Sequence, residues 1–377
     1  MTRLFWLSFG LLTYIYAGYP LLVGALARLF GRAPAAAEAT PEVTLFIPAY
    51  NEAAHLEAKL RNSLALDYPR ERLAIVVASD GSTDTTDAIA QRYAAQGVRL
   101  LRMPRNAGKA AMLDAFVPQV GGEILVFSDA SSELEAGALR RLVRPFADAQ
   151  VGCVCGLYRL KAVGAAADLR GEGEGLYWRY ETWIKRQESR LHSILGAHGA
   201  FYAIRRALFQ PLGVASINDD YLIPMRLVGQ GFRAVYEPSA VAWEREAASV
   251  EGEFARRRRI AMGNCQQILA LRHLLHPRHG WVAWTFFSHK VLRTLAPVFL
   301  IILLLASIML PPPLRAFALG AQALLYGSAY AGYLCQRRGR TPRWLSPPLY
   351  FCLGNLAMLD GLVRYLCGQR PSWHRAA

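Results

Sequence analysis

The sequence contains no closely spaced pair of cysteine pairs, which excludes a structural zinc site built on such a spacing. Its six cysteines are scattered. Cys153 and Cys155 alternate and would share one face of a strand, and the set reads as reduced core thiols rather than a disulfide framework. There is no internal repeat and no low-complexity tract, so neither a solenoid nor a disordered linker protein is indicated. Acidic residues are scarce, 28 against 43 lysines and arginines, giving a formal net charge of +15. No nucleic-acid recognition motif accompanies that excess, and nucleic acid is not expected as a partner. Basic loops flanking membrane segments, with attraction to anionic lipid, account for much of the charge.

What is abundant is apolar sequence, 53% of the chain, and it collects at the two ends. Residues 4–30 form an apolar run long enough for a helix of about 20 residues to cross a bilayer. A signal peptide would have a shorter apolar core ending in a small-residue cleavage site, so a retained anchor is expected. Arg28 and Arg32 place the chain after it in the cytoplasm. Later candidate spans are 294–310, 314–335 and 346–367. The basic loop 336–340 between the last two is also expected on the cytoplasmic side. Four full spans would leave the C-terminus outside, whereas Arg364, Arg370 and Arg375 ask for the inside. Asp360 and Arg364 make the last segment a poor lipid-facing helix, suited to lying flat, re-entering or packing against protein.

The middle of the chain alternates strand and helix after a Pro- and Ala-rich linker, 34–41. Residues 43–47 are β-branched and apolar, and Pro48-Ala-Tyr-Asn-Glu52 ends the strand. A helix follows over 53–66, with Leu56, Leu60 and Leu64 on one face. Strands are expected at 73–78, 98–101 and 124–127. A helix to about residue 95 follows the turn Asp80-Gly-Ser-Thr-Asp84, whose Ser or Thr can cap it. Such a βαβαβ series implies a mainly parallel sheet with helices on its faces, and ligands bind beyond the carboxyl ends of its strands. Tyr50-Asn51-Glu52, Asp80 and Asp129 all fall at those ends. Beyond residue 150 the order is mixed: a helix late in 164–190 carrying Trp178, Tyr180 and Trp183, then shorter segments at 192–204 and 233–243 around Asp219-Asp220.

These carboxylates suit sugar transfer from a nucleotide. Hard cations such as Mg2+ and Mn2+ prefer oxygen ligands, which Asp129 supplies, and Asp80 can accept from a base N–H. A nucleotidyltransferase would carry a Gly-rich, Arg-containing phosphate loop after the first strand, and residues 48–52 have neither feature.

The motifs Ile47-Pro-Ala-Tyr-Asn-Glu52, Ala78-Ser-Asp-Gly-Ser-Thr-Asp84, Asn106-Ala-Gly-Lys109 and Phe127-Ser-Asp-Ala-Ser131 occur in that order. Gly199-Ala-Phe-Tyr-Ala-Ile-Arg205, Asn218-Asp-Asp-Tyr-Leu222, Gly231-Phe-Arg-Ala-Val-Tyr-Glu-Pro238 and Arg256-Arg-Arg-Arg-Ile260 follow them. Together they resemble the family 2 glycosyltransferases of GT-A fold, in particular the membrane-bound synthases related to cellulose, chitin and hyaluronan synthases, over residues 42–265. The resemblance implies a nucleoside site, for uridine, at Pro48, Tyr50, Glu52 and Asp80. It implies a ribose or diphosphate contact at Lys109, a metal ligand at Asp129 and a general base at Asp220, with Asp219 orienting it. Arg257 and Arg259 stand where the synthases bind the leaving diphosphate. His198 and Gly199 fall in the acceptor region.

Two positions depart from the family pattern. Ser131 replaces the second acid of the Asp-x-Asp motif, and Ile260 replaces the tryptophan on which the synthases stack the acceptor sugar. The latter points away from a long polymer channel and toward a lipid-linked or short acceptor. The expected organisation is an N-terminal anchor (1–33), a cytoplasmic α/β GT-A domain (34–265), interfacial helices (266–293) and a C-terminal membrane region (294–377). The expected activity is inverting transfer from a UDP-sugar, with Mg2+ or Mn2+, to a polysaccharide or lipid-linked acceptor at the inner membrane, where synthase or export subunits could join it. The competing expectation is a non-catalytic or partner-dependent subunit of a polysaccharide synthase.

Overall fold

The computed structural model describes residues 1–161, 167–213, 218–245, 250–338 and 342–369. Side chains are described outside 160–178 and 245–253. Arg340, Arg370, Arg375 and the side chain of Trp178 therefore lie outside the described residues. The chain divides into two compact units, one of Phe30–Lys161 with Glu188–Glu246, the other of Met1–Leu29, Ala162–Gln187 and Ala247–Ala377.

The first unit is an eight-stranded sheet: β1 (Val43–Ala49), β2 (Leu73–Ser79), β3 (Val98–Arg102), β4 (Ile124–Phe127), β5 (Ser132–Leu134), β6 (Val151–Lys161), β7 (Tyr202–Arg205) and β8 (Arg233–Arg245). The spatial order is β3-β2-β1-β4-β7-β6-β8-β5. Strands β1 to β4 are parallel neighbours joined by helices Ala53–Leu64, Thr86–Arg92 and Lys109–Phe116, as the alternating pattern predicts. The expectation of a mainly parallel sheet fails beyond β4, where the sheet is mixed. β7 runs antiparallel to both β4 and β6, and β5 antiparallel to β8, while β6 and β8 are parallel.

Period-2 alternation sorts the side chains. Leu45, Ile47, Ile75, Val77, Ile124 and Val126 enter one core with Leu56 and Leu60 of the first helix. The other face carries an aromatic ladder, with Phe46 and Phe127 ring centres 5.8 Å apart and Phe127 stacked on Tyr202 at 4.8 Å. β1 continues through Pro48 to Ala49, two residues past the expected end. Its pairing with β4 stops at Phe46, so the missing N–H of Pro48 breaks no bond to that neighbour.

The antiparallel insertion is what assembles the site. Because Tyr202 at the start of β7 pairs with Phe127 at the end of β4, the turn before β7 emerges beside the loop after β4. The C-terminal ends of β6 and β8 reach that same edge by their pairing sense.

The second unit is helical. Thr2–Phe30 and Trp281–Ile308 are long and apolar enough to cross a membrane, with mean hydropathies of 1.5 and 2.4. Each is interrupted by a wide turn, Tyr14–Gly18 and Phe286–Leu292. Phe5, Leu12 and Ile15 pack with Leu292, Ala296 and Leu303. The Tyr14 hydroxyl lies 2.7 Å from that of Ser288 and accepts from the Trp284 indole. Helices also form at Pro312–Arg337 and Ser346–Leu366. In the last of these Asp360 is paired with Arg364 (2.8 Å) and with Arg258 of the Val250–Ala270 helix (3.4 Å). Gly361 meets Ala261 so closely that an added Cβ would stand 2.5 Å from it. The segment thus packs against protein, one of the three settings that the sequence left for it.

Candidate active site

At the end of β1, Asn51 adopts φ 54, a left-handed conformation that asparagine tolerates better than most residues. The conformation is held by bonds to the loop after β2. The Asn51 N–H donates to Ser82 Oγ (3.1 Å), and Asn51 Oδ1 accepts from the Thr83 N–H (2.8 Å). The Glu52 and Ala53 amides donate to Thr86 Oγ1 (2.8 Å) and Asp84 Oδ2 (3.2 Å). The expected Ser or Thr cap on the next helix is absent, and Asp84 takes the Thr86 N–H instead (2.9 Å). Tyr50 and Glu52 thus sit on a braced double loop, with Pro48 near the end of the strand before it.

Asp80 is the hub of a second bracing. Its carboxylate accepts from the N–H groups of Ala107 (2.9 Å) and Gly108 (2.8 Å) and the side chain of Asn106 (3.1 Å). Burial raises its pKa while the two backbone donors oppose the rise. Gly81 has φ +68, and a Cβ there would lie 2.4 Å from the backbone of Arg105, so only glycine lets the two loops meet. Three of the roughly four acceptor positions of a carboxylate are already used. Asp80 therefore holds the 106–108 turn in place, and any nucleoside contact comes in addition to that.

The turn delivers Lys109, the first residue of its helix. It is not a solvated loop lysine: its ammonium is enclosed, 3.1 Å from Asp219 Oδ2 and 3.5 Å from Asp129 Oδ1. Burial alone would lower its pKa, but Asp219, Asp129 and Asp220 outweigh burial and raise it. Asp219 and Asp220 open the Asp219–Gly229 helix, where the dipole favours acids. The Gly199 N–H donates to Asp220 Oδ2 (2.9 Å). A Cβ on Gly199 would stand 3.3 Å from that oxygen and 3.4 Å from Asp129 Oδ2, so the two carboxylates flank one bare α-carbon. Burial first, then the Asp219 charge, pushes Asp220 up to about 6, against the pull of Lys109.

Four features here escaped the sequence reading. Lys59 lies fully buried beneath the loop after β4, donating to Ser128 Oγ (2.6 Å) and the Ser132 carbonyl (2.9 Å). Ser128 in turn donates to the Ala200 carbonyl (2.9 Å), tying that loop to the Gly199 turn. The only signal was a lysine on the Leu56/Leu60 side of a helix. Glu244 is the second feature, accepting from Ser131 (2.7 Å) and from the hydroxyl of the third, Tyr158 (2.8 Å). Tyr158 stacks on His198 at 4.0 Å, which makes His198 part of a ring pair at the site. The fourth is Asn62, which clamps both polar groups of Leu134 at 2.8 Å.

Burial pushes Lys59 down to about 7, opposed by Asp129 and Glu133. The unfolded lysine holds its proton to about pH 10, so the unfolded state binds more protons between pH 7 and 10 and native stability rises with pH there. Lys59→Met is expected to gain stability relative to the native chain at pH 7, on the order of a few kcal/mol, and to lose that advantage by pH 10. Thermal unfolding at both pH values checks it. An equal difference at the two would contradict the assignment.

Among the described residues, no three His, Cys, Asp or Glu side chains converge to hold a metal ion unaided. The donor set nevertheless fits a hard cation shared with a substrate. It is all oxygen, with the Asp129 and Asp219 carboxylates at the Lys109 ammonium and Asp220 across the Gly199 α-carbon from Asp129. Asp129 is the most open of the carboxylates measured there, its side chain 38% exposed against 10% for Asp219. Arg257, Arg259 and Ile260 belong to the helical unit. There the Arg257 guanidinium lies 5.8 Å over the Tyr350 ring, and Ile260 is exposed.

The model of a family described as glycosyltransferase like family 2 matches residues 41–263. The chain is 27% identical over 239 residues to a probable glycosyltransferase, YdaM, of Bacillus subtilis (strain 168), covering 61% of this chain and 56% of that one. It is 24% identical over 233 residues to poly-beta-1,6-N-acetyl-D-glucosamine synthase of Staphylococcus aureus (strain COL), covering 60% and 55%. The chain thus matches about half the length of these curated relatives. Among solved structures, mannosyltransferase PcManGT from Pyrobaculum calidifontis in complex with GDP-Man and Mn2+ superposes with a TM-score of 0.75 over 97% of this chain and 99% of that one, at 24% identity. That likeness is one of fold.

Proposed function

The chain belongs to glycosyltransferase family 2, and from that premise we propose that it is an inverting enzyme moving a sugar from a UDP-sugar to a hydroxyl acceptor at the cytoplasmic face of the inner membrane. The observation that carries this reading is the Gly199 turn, where a half-buried carboxylate of raised pKa and a strand-end carboxylate stand on either side of one α-carbon. Asp220 takes the acceptor proton as the oxygen attacks the anomeric carbon. The bond to the diphosphate breaks on the opposite face, inverting the centre. The Gly199 N–H orients the Asp220 carboxylate, and Asp219 beside it is held by Lys109.

Tyr50, Glu52 and Asp80 take the nucleoside, and Arg257 and Arg259 keep the diphosphate role that family likeness gives them. Asp129 would hold Mg2+ or Mn2+, which when bound neutralises charge on the departing diphosphate. The GDP-Man and Mn2+ held in complex by PcManGT support a metal-assisted nucleotide sugar as donor. The acceptor is a growing polysaccharide or a lipid-linked sugar. The two apolar helices and the likeness to a poly-N-acetylglucosamine synthase support a membrane setting.

The test is nucleotide release from a panel of UDP- and GDP-sugars with Mg2+ or Mn2+, using the full chain in detergent. Turnover is expected with one UDP-sugar and is expected to stop on chelation. Release confined to GDP-sugars would correct the donor. UDP binding without release from any sugar, acceptor supplied, would favour a partner-dependent subunit.

A further inference from the structure

The family motif after β4 has lost its second acid, yet a carboxylate stands at the side chain that replaced it. Ser131 donates to Glu244 Oε1 at 2.7 Å. Glu244 arrives from 113 positions further along the chain because β5 and β8 run antiparallel, with Ser132 opposite Glu244. An aspartate at 131 would present its carboxylate toward the same place; here serine reaches toward it and Glu244 occupies it. We infer that Glu244 supplies the second acidic ligand of the cation site, completing in space the Asp-x-Asp pair that Ser131 interrupts in sequence. The inference rests on the cation reading above.

Three observations favour a ligand over a structural acceptor. The carboxylate takes one bond per oxygen, from Ser131 and from Tyr158 (2.8 Å), leaving about half of its acceptor positions open. It is partly exposed, as is Asp129, so neither oxygen set is sealed from a hydrated ion. Both bonds come from neutral hydroxyls rather than from a cation, and a glutamine could keep both contacts by accepting from one hydroxyl and donating to the other, since a hydroxyl can do either. Asp129, Glu244 and the phosphates of a bound nucleotide together make the oxygen set that Mg2+ or Mn2+ takes. The hydroxyl of Tyr158 and its stack on His198 then make Glu244 the common anchor of the cation side and the acceptor side.

The test uses the full chain and reads Mn2+ binding by electron paramagnetic resonance with saturating UDP, which has no sugar to transfer. Adding Glu244→Gln is expected to weaken Mn2+ binding by about 10-fold or more, while metal-free UDP binding, which reports the fold, stays at the parental value. Ser131→Asp with Glu244→Ser returns the acid to its place in the sequence and is expected to recover most of the loss. Parental Mn2+ affinity in the Glu244→Gln protein overturns the inference alone. So does a loss that aspartate at 131 fails to recover, which would mark Glu244 as a structural acceptor. A parent that binds no Mn2+ beside UDP overturns the inference together with the cation reading beneath it.

Discussion

Asp220→Asn is expected to lower kcat for sugar transfer by about 10^2- to 10^4-fold, the usual contribution of a positioned general base, with little change in UDP affinity. Asparagine has nearly the same shape and can still accept from the Gly199 N–H, so the turn is kept and only proton acceptance is lost. The pH dependence separates this from a structural effect. In the proposed role Asp220 acts in its ionised form, and its environment pushes it up to about 6. Activity of the native chain should therefore rise through about pH 6 and level off above it. The residual activity of the variant should show no such step. Wild-type turnover in the variant, or an unchanged step near pH 6, would remove Asp220 from the role.

Lys109→Met is expected to have the largest effect on stability. The ammonium and Asp219 side chains are only 12% and 10% exposed, and removing one partner of a buried pair typically costs about 3–5 kcal/mol. The loss should depend on pH, with a sign that can be worked out. Asp220 already has a folded pKa above its unfolded value. Taking away the cation that opposes this rise lifts it further. An acid raised in the folded state binds its proton more tightly there, so stability falls as pH climbs through the interval between the two values. The variant should be least stable near pH 7.5 and recover part of the loss near pH 5.5. Lys109→Arg, which keeps the charge, should lose much less. Thermal unfolding at the two pH values decides it. A Met variant as stable as the native chain at pH 7.5, or equally weakened at both, would mean that the charge is not what Lys109 supplies.

The half of the sheet built from consecutive strands was legible because each strand is an apolar run closed by a polar turn. Ile124 to Phe127 was read to the residue. The other half was not legible. β7 has only four residues, Tyr202–Arg205, and whether so short a strand enters parallel or antiparallel depends on its partners. The site divides the same way. Asp80, Asp129 and Asp220 announce themselves by standing next to strand ends or a helix start. Glu244 lies 113 positions from the serine it contacts and is named by no local pattern. Lys59 looks like an ordinary helix-surface lysine, and only the loop folded over it makes it a buried cation. Lys109 was placed at the ribose or diphosphate by family resemblance, without the carboxylates that tertiary structure brings to it.

The braced loops after β1 and β2 bear on the thermodynamics of donor capture. Asn51, Ser82, Thr83, Asp84 and Thr86 already satisfy one another across the two loops, and Asp80 fixes the 106–108 turn without help from any nucleotide. The loops that the proposed function gives to the nucleoside are therefore already braced by the chain itself. A ligand arriving there surrenders its own freedom but demands little from the chain, so the configurational entropy of the protein adds little to the cost of association.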